Sequence, residues 1–252
     1  MTGEDMPEQE LSPRSAPAVP LRSGIYAILD IDRLQPLLPD DARKEAELLL
    51  EYTRAAVDAG AVAVQLRAKS WPVHGLQWSA LLGKMLDACG GRAPIVVNDA
   101  VIAAQKVVGK VGLGAHVGQG DVSPMTARHA LGGGALIGLS THTLAEVQAA
   151  SQMPVDYLGF GPYRATDGKD DHEPPVGAAG LRSAVQATRL PIVAIGGLGL
   201  DDIEDVVGCG ARAMAVIGGW LGPRDAPYTV SKASLHMSML VATWIDAAAA
   251  RR

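Results

Sequence analysis

The feature that most constrains this chain is a regular alternation of short apolar runs with longer segments of helical character. Eight runs have the composition of buried strands, at residues 24–30, 61–67, 94–99, 112–118, 136–140, 155–161, 190–196 and 212–218. Helical patterns separate them. Residues 41–60, for example, place apolar side chains at i, i+3, i+4 and i+7 and end at Gly60, as helices often do. Strands that alternate with helices indicate parallel βαβ units.

Eight such units in a chain of 252 residues predict a closed (β/α)8 TIM barrel, an α/β fold. An open doubly wound sheet is the alternative, but it usually carries a glycine-rich phosphate turn after its first strand. Residues 30–40 contain no glycine. We therefore predict one barrel domain over residues 24–252. Residues 1–23 are acidic and then rich in Pro and Ser, which indicates a disordered tail.

Charge and composition narrow the classes of partner. The formal net charge of −5 argues against a nucleic-acid-binding surface, which needs a basic patch. No run of 18 apolar residues is present, so no membrane span is expected. The two cysteines show no CxxC spacing and are typical of a reduced, cytoplasmic protein. These observations leave small molecules as the expected ligands. They do not determine the oligomeric state, and a homo-oligomer is one of the options.

Barrel enzymes place their active sites at the carboxyl ends of the strands, so the polar residues there are the candidates. The second predicted strand ends in Gln65, Arg67 and Lys69, which alternation places on one side. A guanidinium fork beside an ammonium group suits phosphate oxygens. The competing interpretation is an ordinary solvated strand end, which the burial expected for Gln65 disfavours.

Two aspartates follow the next two strands. Asn98 and Asp99 end the third strand, and Asp121 follows the fourth. Mg²⁺ prefers oxygen ligands and is often held by one or two carboxylates together with substrate phosphates. Either aspartate alone could instead cap the helix that follows it. Their pairing beside the Arg67 and Lys69 cluster favours a metal site.

The fifth strand ends in Ser140, and His142 and Thr143 follow it. Thr143 and Glu146 have the spacing of a capping box. Ser140 and His142 remain candidate site residues. His116 lies within the fourth strand, where a hydrogen-bonded core histidine is expected.

The last three strand ends are suited to binding a phosphate. A long polar loop follows the sixth strand and is typical of a lid or binding loop. Gly196-Gly197 and Gly218-Gly219 end the seventh and eighth strands. Glycines at these positions let backbone amides approach a phosphate, which is where barrels often bind one.

Taken together, the segments QLRAK, VVND, HVGQGD, LSTHT, YLGFGP, PPVG and VAIGG, in this order over roughly residues 24–220, resemble the thiamine phosphate synthase family. The resemblance implies a Mg²⁺-dependent transferase of thiamine biosynthesis. It would join an aminopyrimidine methyl diphosphate to a thiazole phosphate and release diphosphate. Small phosphorylated molecules would be its substrates.

The resemblance also implies roles for individual residues. The pyrimidine diphosphate would be held by Gln65, Arg67, Lys69 and Asn98, with Ser140 on the pyrimidine side. Asp99 and Asp121 would bind Mg²⁺. The thiazole phosphate would be held by Thr166, Asp167, Gly168, Gly197, Ile217 and Gly218. The catalytic set would be Arg67, Lys69, Ser140 and Lys169, the last on the diphosphate.

Several positions depart from the family pattern. Ala100 and Gly120 replace charged residues beside the two aspartates. The loop carries Asp167-Gly168 where the family has Pro-Thr, and Gly218 stands where the family has Ser. The thiazole-phosphate side thus loses two hydroxyl donors, which predicts weak activity or an altered acceptor. A barrel that binds without catalysing, and a thiazole tautomerase in which His142 acts on protons, are the alternatives.

Overall fold

The computed structural model describes residues 16–69, 78–165 and 174–251. Eight parallel strands close into a barrel in the order β1 to β8, because β1 pairs with both β2 and β8. The strands are β1 Gly24–Asp30, β2 Ala63–Arg67, β3 Ile95–Asn98, β4 Leu113–Val117, β5 Leu136–Thr141, β6 Tyr157–Phe160, β7 Ile192–Ala194 and β8 Ala213–Val216. All eight predicted strands are confirmed, and with them the predicted fold.

Helices follow the strands and cover the barrel. They are α1 Ile31–Leu34, α2 Ala42–Asp58, α3 Trp78–Cys89, α4 Val101–Gln105, α5 Pro124–Leu131, α6 Leu144–Ala150, α7 Gly177–Ala187, α8 Ile203–Gly208, α9 Gly218–Leu221 and α10 Val230–Ala249. Two short 3₁₀ turns, Gln35–Leu37 and Leu200–Asp202, complete the connections. No described helix combines the length and the apolarity needed to cross a lipid bilayer.

Alternation along the strands separates two hydrophobic layers. On β1, Ile25, Ala27 and Leu29 pack outward against the helices, while Tyr26 and Ile28 point into the barrel. The interior layer is aliphatic apart from two tyrosines, since the chain has a single Phe. The same alternation turns every second residue at the carboxyl ends toward the barrel axis.

Local sequence explains where several helices begin. The Asp41 carboxylate accepts from the Lys44 amide at 2.8 Å and starts α2. The Ser123 hydroxyl accepts from the Thr126 amide at 3.0 Å and starts α5 with Pro124 at its first position. Thr143 and Glu146 form the predicted capping box of α6. Each cap satisfies amide groups that the first helical turn leaves without a partner.

The amino-terminal end of the barrel is covered by residues that the sequence assigned to the tail. Leu21 is buried and packs with the interior layer. The Ala18 amide donates to the Gly134 carbonyl at 2.9 Å, and the Arg22 guanidinium donates to the Arg92 carbonyl at 2.7 Å. Within the predicted tail, residues 16–23 therefore contact the barrel, because an apolar side chain is needed to close its lower end.

Candidate functional site

A compact polar cluster lies at the carboxyl ends of β2, β3 and β4. It consists of Lys69, Asn98, Asp99 and Asp121, here called the carboxylate side. The Lys69 ammonium lies 3.0 Å from Asp99 Oδ2, and the Asn98 amide donates to the same oxygen. The Gly118 amide donates to Asp121 Oδ2 at 2.8 Å. The predicted convergence of these side chains is thus present in the structure.

Asp99 reaches this position through an unusual backbone conformation. Its φ is +60°, and within the described ranges it is the only non-glycine residue with positive φ. Aspartate tolerates this left-handed region better than most residues, at a cost of about 1–2 kcal/mol. Strain of this kind often accompanies a functional position.

Each of the two carboxyl groups shifts the pKa of the other. Burial raises the pKa of Asp99, and the contact with Asp121 raises it further, while Lys69 opposes both. Burial also acts to raise the pKa of Asp121. The hydrogen bonds from Asp99 and the Gly118 amide outweigh burial, so the pKa of Asp121 lies below its ordinary value. Two like charges held this close favour either one shared proton or a bound cation.

Neither aspartate acts as a helix cap. Ser123, and not Asp121, caps α5, while Ala100 occupies the N-cap position of α4 and contributes no side-chain hydrogen bond. The capping interpretation of the two aspartates is therefore wrong. Asp121 Oδ2 instead accepts from the Gly118 amide, and Asp99 Oδ2 pairs with Lys69.

The donor set suits Mg²⁺ in particular. In the described part of the chain, no group of three or more His, Cys, Asp or Glu side chains could hold a metal ion. A closed all-protein cage is therefore absent from those residues. Two carboxylates with open positions match the way Mg²⁺ is usually held, with phosphate oxygens and water completing its shell.

Arg67 is already paired within the protein. Its Nη1 donates to Asp30 Oδ2 at 2.7 Å, and both side chains are nearly buried. Sequence reasoning missed Asp30. Its position as the last residue of an apolar strand, pointing inward, was the signal that could have identified it. The ion pair fixes the guanidinium at the carboxyl end of β2.

A chain of hydrogen bonds crosses the barrel interior below this site. The Gln65 amide donates to the Tyr26 hydroxyl at 3.1 Å, and the two tyrosine hydroxyls, of Tyr26 and Tyr157, are 2.9 Å apart. His116 Nδ1 lies 3.0 Å from the Tyr157 hydroxyl, and its Nε2 lies 2.8 Å from Ser140 Oγ. With Gln65 as donor, a chain that uses every hydrogen ends on the Ser140 oxygen and leaves the Ser140 hydrogen for a further acceptor.

Glycines make room for this chain. A Cβ on Gly138 would lie 2.2 Å from a Tyr157 ring carbon and 2.5 Å from His116 Nδ1. A Cβ on Gly159 would lie 3.1 Å from the His116 ring. Glycine within a strand often marks such close approaches, and this was the signal that sequence reasoning left unused. The expectation that His116 is a hydrogen-bonded core residue is confirmed.

His142 has a structural environment. Its Nδ1 donates to the Gly161 carbonyl at 2.7 Å, which joins the ends of β5 and β6. Its backbone amide donates to Glu146 of the capping box at 2.6 Å. These contacts anchor the strand ends and give no support to acid–base work.

The opposite rim, at the ends of β7 and β8, is built from Gly197, Ile217 and Gly218, here called the glycine side. Gly197 has a φ of +69°, and a Cβ there would lie 2.8 Å from Arg164 Cβ. A Cβ on Gly219 would lie 3.3 Å from the Leu198 carbonyl oxygen, so the two loops touch. The predicted site residues Thr166, Asp167, Gly168 and Lys169 lie outside the described residues.

Comparison with known proteins identifies the family. The sequence model described as thiamine monophosphate synthase matches residues 37–219. The chain belongs to this family. It is 40% identical over 184 residues to a thiamine-phosphate synthase of Psychrobacter sp. (strain PRwf-1), covering 72% of this chain and 84% of that protein. For the thiamine-phosphate synthase of Corynebacterium efficiens the identity is 38%, with 71% and 84% covered.

A solved structure agrees with the family assignment. The thiamine phosphate pyrophosphorylase from Pyrococcus furiosus superimposes with a TM-score of 0.68 at 27% identity, covering 89% of this chain and 97% of that one. The matched segment, residues 37–219, contains all four residues of the carboxylate side and all three residues of the glycine side. Asp30, the partner of Arg67, precedes the matched segment.

Proposed function

We propose that this chain couples an aminopyrimidine methyl diphosphate to a thiazole phosphate and releases diphosphate. Family membership supports this reaction, and the observation that carries it is the pair Asp99 and Asp121 beside Lys69. An ammonium group and an open carboxylate pair are the groups that a departing diphosphate requires.

The residues divide into two substrate regions in this proposal. Gln65, Arg67, Lys69 and Asn98 bind the pyrimidine diphosphate, and Asp99 and Asp121 hold Mg²⁺. When bound, Mg²⁺ supplies positive charge to the diphosphate oxygens. Gly197, Ile217 and Gly218 offer backbone amides to the thiazole phosphate, together with Thr166, Asp167 and Gly168. Lys169 assists the diphosphate.

The bond changes need little proton chemistry. The bond between the pyrimidine methylene carbon and the diphosphate oxygen breaks, and the electron pair leaves with the oxygen. Lys69 and Arg67 stabilise the negative charge that grows there. The thiazole nitrogen then donates its lone pair to the methylene carbon. Because that nitrogen carries no proton, no general base is required, which agrees with the structural environment of His142.

Ser140 is the positioning group for the pyrimidine. The chain from Gln65 through Tyr26, Tyr157 and His116 orients its hydroxyl. Because the Ser140 oxygen accepts from His116, its hydrogen remains to donate to a ring nitrogen of the pyrimidine. Buried, free Cys89 and Cys209 agree with a reducing cytoplasmic setting, which is part of the proposal.

Diphosphate release, measured with both substrates and with or without Mg²⁺, tests the proposed reaction. We expect release only when both substrates and Mg²⁺ are present. Turnover that persists in the presence of a chelator would contradict the role of the carboxylate pair. Binding of the pyrimidine diphosphate without release would instead support a barrel that has lost catalysis.

The acceptor needs a separate measurement because the family hydroxyl donors at Gly168 and Gly218 are missing. Two lost hydrogen bonds to a charged group would cost about 1.5–3 kcal/mol each. We therefore expect a raised KM for thiazole phosphate relative to the family. A catalytic efficiency equal to that of relatives that keep these hydroxyls would contradict the altered acceptor side.

A further inference from the structure

Arg33 lies beside the glycine side and has no assigned role. It belongs to α1, directly after β1, and its Nη1 donates to the Gly222 carbonyl at 2.5 Å. Its Nε–H is buried and has no hydrogen-bond partner in the described part of the chain. A buried N–H without a partner is costly, so a polar ligand atom at this position would be favoured.

The guanidinium lies directly beside Gly218. A Cβ on Gly218 would lie 3.4 Å from Arg33 Nη1, 3.7 Å from Cζ and 3.8 Å from Nη2, which is ordinary van der Waals contact. The planar fork therefore lies next to the backbone at the end of β8. Loops after the seventh and eighth strands are where barrels commonly bind phosphate.

Neighbouring guanidinium groups add positive charge around Arg33. The Asp30 carboxylate, which opposes that charge, already accepts from Arg67 at 2.7 Å and from the Arg33 backbone amide at 3.3 Å. Burial and the charge of Arg224 lower the pKa of Arg33, Asp30 opposes them, and Arg67 lowers it further. Positive charge therefore accumulates around Arg33, which favours an anion at this position.

Arg33 is a feature of this chain outside the matched family segment, which begins at residue 37. From these contacts we propose that the Arg33 guanidinium binds the phosphate of the acceptor and takes over the work of the missing side chain at Gly218. This inference rests on the proposed function. It assigns a charged phosphate-binding group to a rim that otherwise offers backbone amides.

Steady-state kinetics with two acceptors tests the assignment. The acceptors are the thiazole phosphate and the same thiazole alcohol without phosphate, and the variants are Arg33→Gln and Arg43→Gln. Arg43 is a matched control because its side chain is 86% exposed on α2. We expect Arg33→Gln to raise KM for the phosphate acceptor by about tenfold or more, with kcat little changed. Its KM for the alcohol should stay the same.

A purely structural role would give a different result. If Arg33 only clamps the Gly222 carbonyl, Arg33→Gln should alter KM equally for the two acceptors and for the pyrimidine diphosphate. That outcome would overturn the proposal, as would an unchanged KM for thiazole phosphate. Arg43→Gln should match the parent protein in every arm.

A binding measurement separates this inference from the proposed reaction. Inorganic phosphate is titrated calorimetrically into protein that already holds Mg²⁺ and saturating diphosphate, which occupy the carboxylate side. We expect Arg33→Gln to weaken phosphate binding by about tenfold relative to the parent. Equal binding by both proteins would overturn the role of Arg33. Absence of turnover by the parent protein would instead count against the proposed function, and this titration does not depend on turnover.

Discussion

The two rims of the barrel mouth are built from different kinds of groups. On the carboxylate side, Lys69, Asn98, Asp99 and Asp121 contact one another, and each position is fixed by a side-chain or amide hydrogen bond. On the glycine side, Gly197 and Gly218 contribute no side chains, and the guanidinium of Arg33 lies beside Gly218.

This difference between the rims agrees with the ligand that the proposed function assigns to each. A metal-bound diphosphate carries several charges and needs side chains with formal charge, held rigidly before the substrate arrives. A phosphate monoester can be held by backbone amides, which need small residues for close approach. Substitutions on the carboxylate side should therefore reduce kcat, whereas those on the glycine side should raise KM for the acceptor.

Asp99→Asn should have the largest effect. Asparagine tolerates the positive φ at this position, so the change removes charge with little added backbone strain. We expect kcat to fall on the order of 10³-fold, because the metal site loses one of its two carboxylates. Asp58→Asn, which loosens an exposed ion pair with Arg92, is the control and should keep full activity. Near-normal turnover by Asp99→Asn would remove the basis for a metal on this rim.

Lys69→Met should come next. The Lys69 ammonium pairs with Asp99 at 3.0 Å, yet its side chain is 52% exposed and so remains accessible to a diphosphate. Loss of this cation should lower kcat by about 10²-fold, since one preorganised charge on the leaving group disappears. Lys110→Met, which breaks the pair with Asp87 on the surface, provides the comparison. If Lys69→Met changes only KM for the acceptor, the assignment of Lys69 to the diphosphate is wrong.

Sequence reasoning predicted the scaffold and the closeness of the residues on the carboxylate side, whose roles stay predictions. Each strand could be predicted because a short apolar run between helical segments is typical of a buried parallel strand. The alternation of side chains along a strand placed Gln65 and Arg67 on the inner face. Asp99 and Asp121 could be selected because acidic residues at adjacent strand ends must lie close together in a barrel. Those inferences need only periodicity and topology.

The residues that sequence reasoning missed depend on contacts between distant segments. Asp30 pairs with a residue 37 positions away, and Tyr26 meets Tyr157 across 131 positions. Arg33 reaches Gly222 across 189 positions. No local sequence pattern indicates such pairings. A tyrosine on an apolar strand is indistinguishable, from sequence, from an ordinary core residue. The glycines at positions 138 and 159 were the one local sequence feature that indicated the chain of hydrogen bonds inside the barrel.

Gly197→Ala tests the glycine side. The residue has positive φ, and the added Cβ would lie 2.8 Å from Arg164 Cβ and 3.0 Å from the Ala165 carbonyl oxygen. The left-handed conformation alone should cost about 1–2 kcal/mol of stability. Displacement of the loop should raise KM for thiazole phosphate about tenfold while KM for the pyrimidine diphosphate stays constant. Gly134→Ala meets no atom within 4 Å and serves as the control. An equal rise in both KM values would mean that the two rims are not independent.

Tyr157→Phe should have the smallest effect on turnover, because it acts on Ser140 only through His116. The change removes the contacts to Tyr26 and His116 Nδ1, and it leaves buried polar groups without partners. We expect about 1–3 kcal/mol of lost stability by chemical unfolding and a decrease of only a few fold in kcat/KM. Ser140→Ala removes the proposed substrate contact itself and should lower activity at least as much, with some loss of stability because His116 Nε2 loses this hydrogen bond. A larger activity loss in Tyr157→Phe would mean that the chain does more than orient Ser140.

The pH dependence of the free energy of unfolding provides a second measurement on Tyr157→Phe. Burial raises the pKa of Tyr157 well above its ordinary value of 10.0. A group whose pKa is higher in the folded state binds its proton more tightly there. Its stabilising contribution is complete below pH of about 10 and is lost as pH rises above the pKa of the unfolded chain. Removal of the phenol should therefore make unfolding free energy fall less steeply above that pH than in the parent protein. Equal slopes would show that Tyr157 ionises as easily in the folded protein as in the unfolded chain, and would place the hydroxyl in contact with solvent.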